Sequence, residues 1–210
     1  MYTPKDFAVA DRQRQIDFIR NTGWGYLTGV IDDAPYVTHL TFLVDGGEGE
    51  ERLVGHMARA NPHWRVFNEG KPQLVVFPGP HCYISPSWYK SEKVVPTWNY
   101  ATAHVYGVPK VIDDPEDVYA GQKALVDLHE SRFEVPWHME ALDADFIDGM
   151  LRAIVSFEIP IDRVECKFKL SQNRPLADRK RVVDALEQSG KPDAGAVAGL
   201  MRDVGVLEEE

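Results

Sequence analysis

The chain has 210 residues, 44% of them apolar, and a formal net charge of −10; that is enough apolar material for one sizeable core. No run approaches the ~18 apolar residues of a membrane helix, and the opening MYTPKDFAVADRQRQ lacks the basic-then-apolar layout of a signal peptide. A cytoplasmic protein with no membrane partner is therefore expected, and the acidic balance disfavours DNA, whose phosphates demand clustered Lys and Arg.

Asp11 as N-cap and Gly23 beyond the last turn predict a helix over residues 12–22, with Ile16 and Ile19 on its apolar side. The period then changes to β-rich runs at 24–30, 36–44, 52–58 and 73–78, separated by IDDAP and by the Gly- and Glu-rich DGGEGEE. Between the last two, Asn61 followed by Pro62 marks a helix start, and Gly70 with Pro72 marks its end; Trp64 and Phe67 are expected to anchor it to the core. A β stretch at 99–112 follows the aromatic loop HCYISPSWYKSEKVVPTW. Asp114 and Pro115 open a helix to about Arg132, and a further helix is expected near 144–153. Strands IVSFEIP and RVECKFKLS come next, then short helices over 175–188 and 194–204, the second capped by Asp193 and Gly205. Strands in two blocks around helices predict a mainly β (α+β) protein. It is one β-barrel domain over 1–210, with a helical insertion at about 114–153 and a C-terminal helical extension at about 174–207.

The stretch GHMARANPHWRVF carries the clearest chemical signal. A strand there runs into a helix N-terminus, where free backbone N–H groups attract anions, and Arg59 stands two residues before the cap Asn61. Arg offers a planar fork of donors suited to phosphate. The plainer alternative is that Asn61 only caps and Arg59 only forms a surface ion pair. Two or three charge-assisted hydrogen bonds come to roughly 3 to 9 kcal/mol gross, enough to anchor a phosphate but not to hold it alone at micromolar affinity. An aromatic body must supply the rest. Tyr83, Trp88, Tyr89, Trp98, Tyr100 and Tyr106 cluster within 83–106, with the amide of Asn99 beside Trp98; a hydrophobic core or subunit interface would use the same residues.

Other chemistries find less support. None of the seven histidines stands in HExxH spacing, and Glu130 follows His129 without a second histidine four residues on. His39 and His56 lie on neighbouring predicted strands, but no metal site is expected. There is no GxSxG, and Ser85 and Ser87 have no paired base, so no catalytic residue is assigned. Cys82 and Cys166 form no CxxC pair and are read as small core residues. Residues 163–181 hold seven bases against two acids, which is either a solvated face or an anion site.

Six motifs occur in order along the chain: MYTPKDF at 1, THLTF at 38, GHMARANPHW at 55, YISPSWY at 83, VPTWNY at 95 and KFKLSQNR at 167. Together they resemble the PaiB family of FMN-binding negative transcriptional regulators, related in fold to the pyridoxamine phosphate oxidase type of split barrel. The resemblance implies an FMN-binding split β-barrel that forms a homodimer, with FMN in the groove between subunits. It places the backbone of His39, Leu40 and Thr41 along the polar edge of the flavin, Met57 and Ala58 beside it, and Arg59 and Asn61 on the phosphate. Trp98 and Asn99, with Lys169 and Gln172, would come from the partner subunit. The function implied is negative regulation of transcription, direct or indirect. The alternative is an FMN-dependent oxidoreductase acting on a small molecule, since related split barrels include oxidases and reductases. A third reading is a dimer that has lost its cofactor and serves as an interaction module.

Overall fold

Residues 1–207 are described by a computed structural model, and they divide into two compact units. One comprises Ile16–Phe77 with His104–Val164; the other comprises Met1–Gln15, Pro78–Ala103 and the chain from Glu165. The strands are β1 (Trp24–Ile31), β2 (Ala34–Asp45), β3 (Arg52–Ala58), β4 (Gln73–Ile84), β5 (Thr97–Gly107), β6 (Lys110–Ile112), β7 (Ile154–Pro160) and β8 (Arg163–Lys169). The helices are α1 (Arg12–Thr22), α2 (Pro115–Glu130), α3 (Ala144–Arg152), α4 (Leu176–Gln188) and α5 (Pro192–Asp203).

In the first unit the strand order is β6-β7-β3-β2-β1-β4, with antiparallel neighbours throughout. The β1–β2 hairpin closes on Asp32 and Asp33, both at positive φ (50° and 60°), the two-residue turn whose twist matches the flanking strands. Alternation along β2 sends Leu40, Phe42 and Val44 into the core and leaves His39, Thr41 and Leu43 on the opposite face. Phe42 meets Phe77 edge-on at 5.6 Å and Phe157 at 6.3 Å, and Phe67 packs on Phe157 at 5.2 Å. Truncating Phe42 to alanine would cost about 3 to 5 kcal/mol.

In the second unit, which holds β4 from Pro78 and β5 up to Ala103, the strand order is β4-β5-β8. The N-terminal segment adds a bridge from Ala8 to Lys167, and α4 and α5 bury Val182, Val183, Leu186, Val197 and Met201. Asp178, at 1% exposure, accepts hydrogen bonds from the N–H groups of Lys90 and Ser91 and from the Ser91 hydroxyl. Desolvation pushes its carboxyl pKa up, but those bonds and the Arg174 charge outweigh it and hold the group below its ordinary value.

Several boundaries differ from the sequence expectation. The strand expected to end at 78 runs to Ile84, because Pro78 and Pro80 lack N–H donors yet accept extended φ. The stretch 99–112 is two strands, parted at Val108 and Pro109. Just before that break a Cβ on Gly107 would lie 1.9 Å from the Pro160 carbonyl oxygen, so only glycine fits. The last strand stops at Lys169, with Ser171 at φ 67°. Pro175 occupies the N-cap position of α4, and Lys191, not Asp193, that of α5, whose first residue is Pro192. Gly205, at φ 72°, does follow the end of α5.

Candidate functional site

The β1–β2 register sets Trp24 against Thr41, Tyr26 against His39 and Thr28 against Val37, so these side chains share the face away from the core. Trp24 is 47% exposed and Val37 48%. The His39 ring lies 4.9 Å from Tyr26, edge-on, and 6.4 Å from Trp24. The result is a ledge of rings and small side chains on which a planar ligand can lie.

After β3 the chain turns at Asn61, whose N–H bonds the Ala58 carbonyl. The Asn61 side chain accepts from the His63 N–H at 3.0 Å and donates to Thr38 Oγ1 at 3.2 Å. Thr38 Oγ1 also lies 2.8 Å from His63 Nδ1. Burial lowers the pKa of His63, and the neighbouring Gln73 side chain partly opposes the shift. A Cβ on Gly29 would lie 2.5 Å from His63 Nε2 and 2.8 Å from Gln73 Oε1, so glycine makes the room for this pair.

Arg59 is held on one side. Its Nε donates to the Arg152 carbonyl at 2.8 Å and its Nη2 to the Ile154 carbonyl at 2.6 Å, while its own carbonyl accepts from Trp64 Nε1. Beside it is a cavity of about 400 Å³ lined by Arg152, Asp113, Asp148, Tyr119 and Ser156 among others. Ser156 is 4% exposed and its Oγ has no partner. Its cross-strand neighbour His56 has an unpartnered buried Nδ1, and burial lowers the His56 pKa. Two orphaned polar atoms on adjacent strands mark a place where a ligand or water would relieve a desolvation cost of about 1 to 3 kcal/mol each.

Residues 1–163 match the family model described as "Putative FMN-binding domain". The chain belongs to that family. It is 32% identical over 203 residues, 97% of each chain, to the protease synthase and sporulation protein PAI 2 of Bacillus subtilis. It is 29% identical over 232 residues to an uncharacterized protein of Emericella nidulans, covering 91% of this chain and 92% of that one. Among solved structures it resembles the flavocytochrome Anf3 of Azotobacter vinelandii (TM-score 0.57, 16% identity, 77% of this chain and 69% of that chain). It also resembles an FAD and heme binding protein of Mycobacterium smegmatis (TM-score 0.58, 21% identity, 77% of this chain and 73% of that chain). Likeness at this level concerns the fold: a split-barrel type of antiparallel sheet with peripheral helices.

Within this member of the family, the expected site residues fall into two groups. His39 and Thr41 face the ledge, and Leu40 offers only backbone because its side chain is in the core. Met57 is likewise buried, at 2% exposure, whereas Ala58 and Arg59 are exposed. Both polar ends of the Asn61 side chain are engaged, one by the His63 N–H and one by Thr38 of β2, so it shapes the turn and leaves its own amide little to offer a phosphate. The helix it caps, Pro62–Glu69, is 3₁₀ in form, and His63, not Trp64, joins Phe67 as its buried anchor.

The other group lies in the second unit. Trp98 is 53% exposed, with Tyr83 edge-on at 6.1 Å and His81 at 6.2 Å. Asn99 is fully buried, with Oδ1 accepting from the Ser171 hydroxyl and Nδ2 donating to Met201 Sδ. Lys169 donates to Thr97 Oγ1 and the Trp98 carbonyl; burial, then the Lys167 and Arg174 charges, lower its pKa. The Gln172 amide bonds the Leu170 N–H and the Phe168 carbonyl. Trp98 is thus the member of this set with a free surface.

Sequence reasoning passed over Trp24, Thr38 and Ser156. Trp24 opens a predicted strand, and alternation from buried Leu27 would have placed it on the outer face. Among the described residues no group of three or more His, Cys, Asp or Glu is arranged to hold a metal, and no helix is long and apolar enough to cross a membrane.

Proposed function

We propose that the protein binds FMN as a homodimer, the isoalloxazine along the outer face of β1–β2 and the phosphate at Arg59. The observation that carries this is the ledge itself: Trp24, Tyr26, Val37, His39 and Thr41 present rings and backbone on one face. Arg59 stands on the turn that Asn61 ties to Thr38 of the same strand. Two of the Arg59 donors are fixed on carbonyls, so the guanidinium plane is set in advance and its remaining N–H groups meet a phosphate at little entropic cost. The flavoproteins of similar fold support a flavin as the ligand class. Trp98, with Asn99 and Lys169 behind it, is proposed to reach the flavin from the second subunit, and the half-exposed Trp24 and Val37 supply apolar surface for that subunit to cover. When bound, FMN supplies one- and two-electron redox chemistry, and the chain's own residues bind and orient it.

Regulation of transcription, where it occurs, is proposed to be indirect. Five of the seven bases of 163–181 are engaged within the fold: Arg163 stacks on Tyr106 at 3.6 Å, Lys167 lies over Tyr100, Lys169 is bonded as above, Arg174 faces Tyr89, and Arg181 bonds the Trp88 carbonyl. With Arg179 buried as well, most of the positive charge in this stretch is tied to internal partners, which disfavours a phosphate-binding surface there.

The test is a flavin absorbance spectrum of the purified protein before and after added FMN, followed by gel filtration. Co-elution of one FMN per chain is the expected result, and unchanged free FMN would overturn the proposal. Steady NADH or NADPH oxidation by the loaded protein would favour the oxidoreductase reading over the regulator.

A further inference from the structure

Three cavities border α2 in the first unit, and their charge differs. The one at its N-terminal end sets Arg59 and Arg152 against Asp113 and Asp148. The one along its middle sets Arg52 and Lys110 against Asp45, Asp117 and Glu158 among its acids. The one at its C-terminal end, about 380 Å³, is lined by Arg20, Trp24, Thr41, His129 and Arg132 with small neighbours, and by no carboxylate. In a chain of net charge −10, a cavity with two arginines and no acid is selective for anions.

Its hydrogen bonds also have a direction. Arg132 Nη2 lies 2.8 Å from His129 Nδ1, and because arginine only donates, Nδ1 is the acceptor and the neutral ring carries its proton on Nε2. That proton is donated to Thr41 Oγ1 at 3.1 Å. The Thr41 hydroxyl, already accepting, has its own proton left to donate, and no acceptor for it is found among the described residues. Arg132 is further fixed by its Nε bond to the His129 carbonyl at 2.9 Å. Arg20 has only a long 3.7 Å contact with Asp17, and Trp24 offers a half-exposed indole face.

We propose that this cavity binds a small aromatic carboxylate. The ring lies against Trp24, the carboxylate is held by Arg20 and Arg132, and the Thr41 hydroxyl donates to it. A single charge suits the place better than a phosphate dianion, since α1 and α2 both end here and their C-termini bring partial negative charge. Each arginine also complements its helix end, but that role needs neither the indole nor a hydroxyl aimed by a histidine. The site goes beyond the flavin proposal and borders it: Trp24 and Thr41 belong to both, whereas Arg20, His129 and Arg132 belong to this cavity alone.

Calorimetric titration with benzoate, benzamide and phenyl phosphate, at low salt and with and without FMN, tests it. Benzoate is expected to bind about tenfold or more tighter than uncharged benzamide, and tighter than phenyl phosphate, as loss of a charge-assisted contact implies. Arg132→Gln and Arg20→Gln should each weaken benzoate several-fold, and Thr41→Val should do so to a smaller extent, while Lys71→Gln on a distant surface leaves it unchanged. Equal binding of benzoate and benzamide, or preference for phenyl phosphate, would each overturn the proposal. A failed FMN titration leaves the benzoate series intact, so the two proposals fail separately.

Discussion

The two ends of α2 both carry arginine, yet the arginines do different work. At the N-terminal end Arg59 is bound to the Arg152 and Ile154 carbonyls and faces a cavity that also holds Asp113 and Asp148. At the C-terminal end Arg132 is bound to a histidine of its own turn, and no acid lines the cavity. The difference teaches that arginines beside cavities are not equivalent: Arg59 offers a phosphate only the N–H groups left over from its two carbonyl bonds, whereas no acid in the cavity lining competes for Arg132. What matters is which donors the fold has already engaged and which charges share the walls.

Breaking the contrast starts with Arg59→Met. It removes two charge-assisted bonds to carbonyls at a partly exposed site, so a loss of about 1 to 2 kcal/mol in urea unfolding is expected, with the fold retained. An unchanged midpoint would make Arg59 no more structural than Arg132. A smaller effect is expected from acid. Burial holds His56 below its ordinary 6.5, so the unfolded chain gains a proton that the folded chain refuses. Stability is therefore full above pH 6.5 and falls as pH drops from 6.5 through the folded value. Urea midpoints at pH 7.5 and 5.5 should show the loss, and His56→Gln should reduce it. Ser156→Ala removes a buried hydroxyl with no partner, and should leave stability unchanged or raise it by up to about 1 kcal/mol. A clear loss would mean that a water satisfies the Oγ. Arg132→Gln should have the smallest effect on unfolding, within about 0.5 kcal/mol, while still weakening benzoate.

Much of this was legible where the signal is local. Asp11 bonds the Arg14 N–H, and Asn61 and Asp114 cap the helices they precede, because a cap and its partner lie within three residues. The β-rich runs were legible by alternation, and the six motifs pointed to the family. What the chain concealed depends on distant partners. Whether His63 is a surface group or a buried anchor is decided by Thr38 and Gln73. The direction of the Thr41 hydroxyl is decided by His129, 88 residues away. Pro78 and Pro80 read as a strand end because a missing donor looks the same in sequence whether or not a neighbour needs it. Arg59 and Asn61 were found as a turn, but the engagement of their donors could be seen only once β7 lay beside β3 and Thr38 of β2 lay beside the turn.

The most direct test of the flavin site is a paired titration of the wild-type chain and Arg59→Ala with FMN and with riboflavin, followed by fluorescence quenching. If Arg59 holds the phosphate, the substitution should weaken FMN by about tenfold to a hundredfold, the worth of one or two charge-assisted bonds at a partly exposed site, and leave riboflavin unchanged. Equal loss for both ligands, or no loss for FMN, would contradict the placement of the phosphate at Arg59.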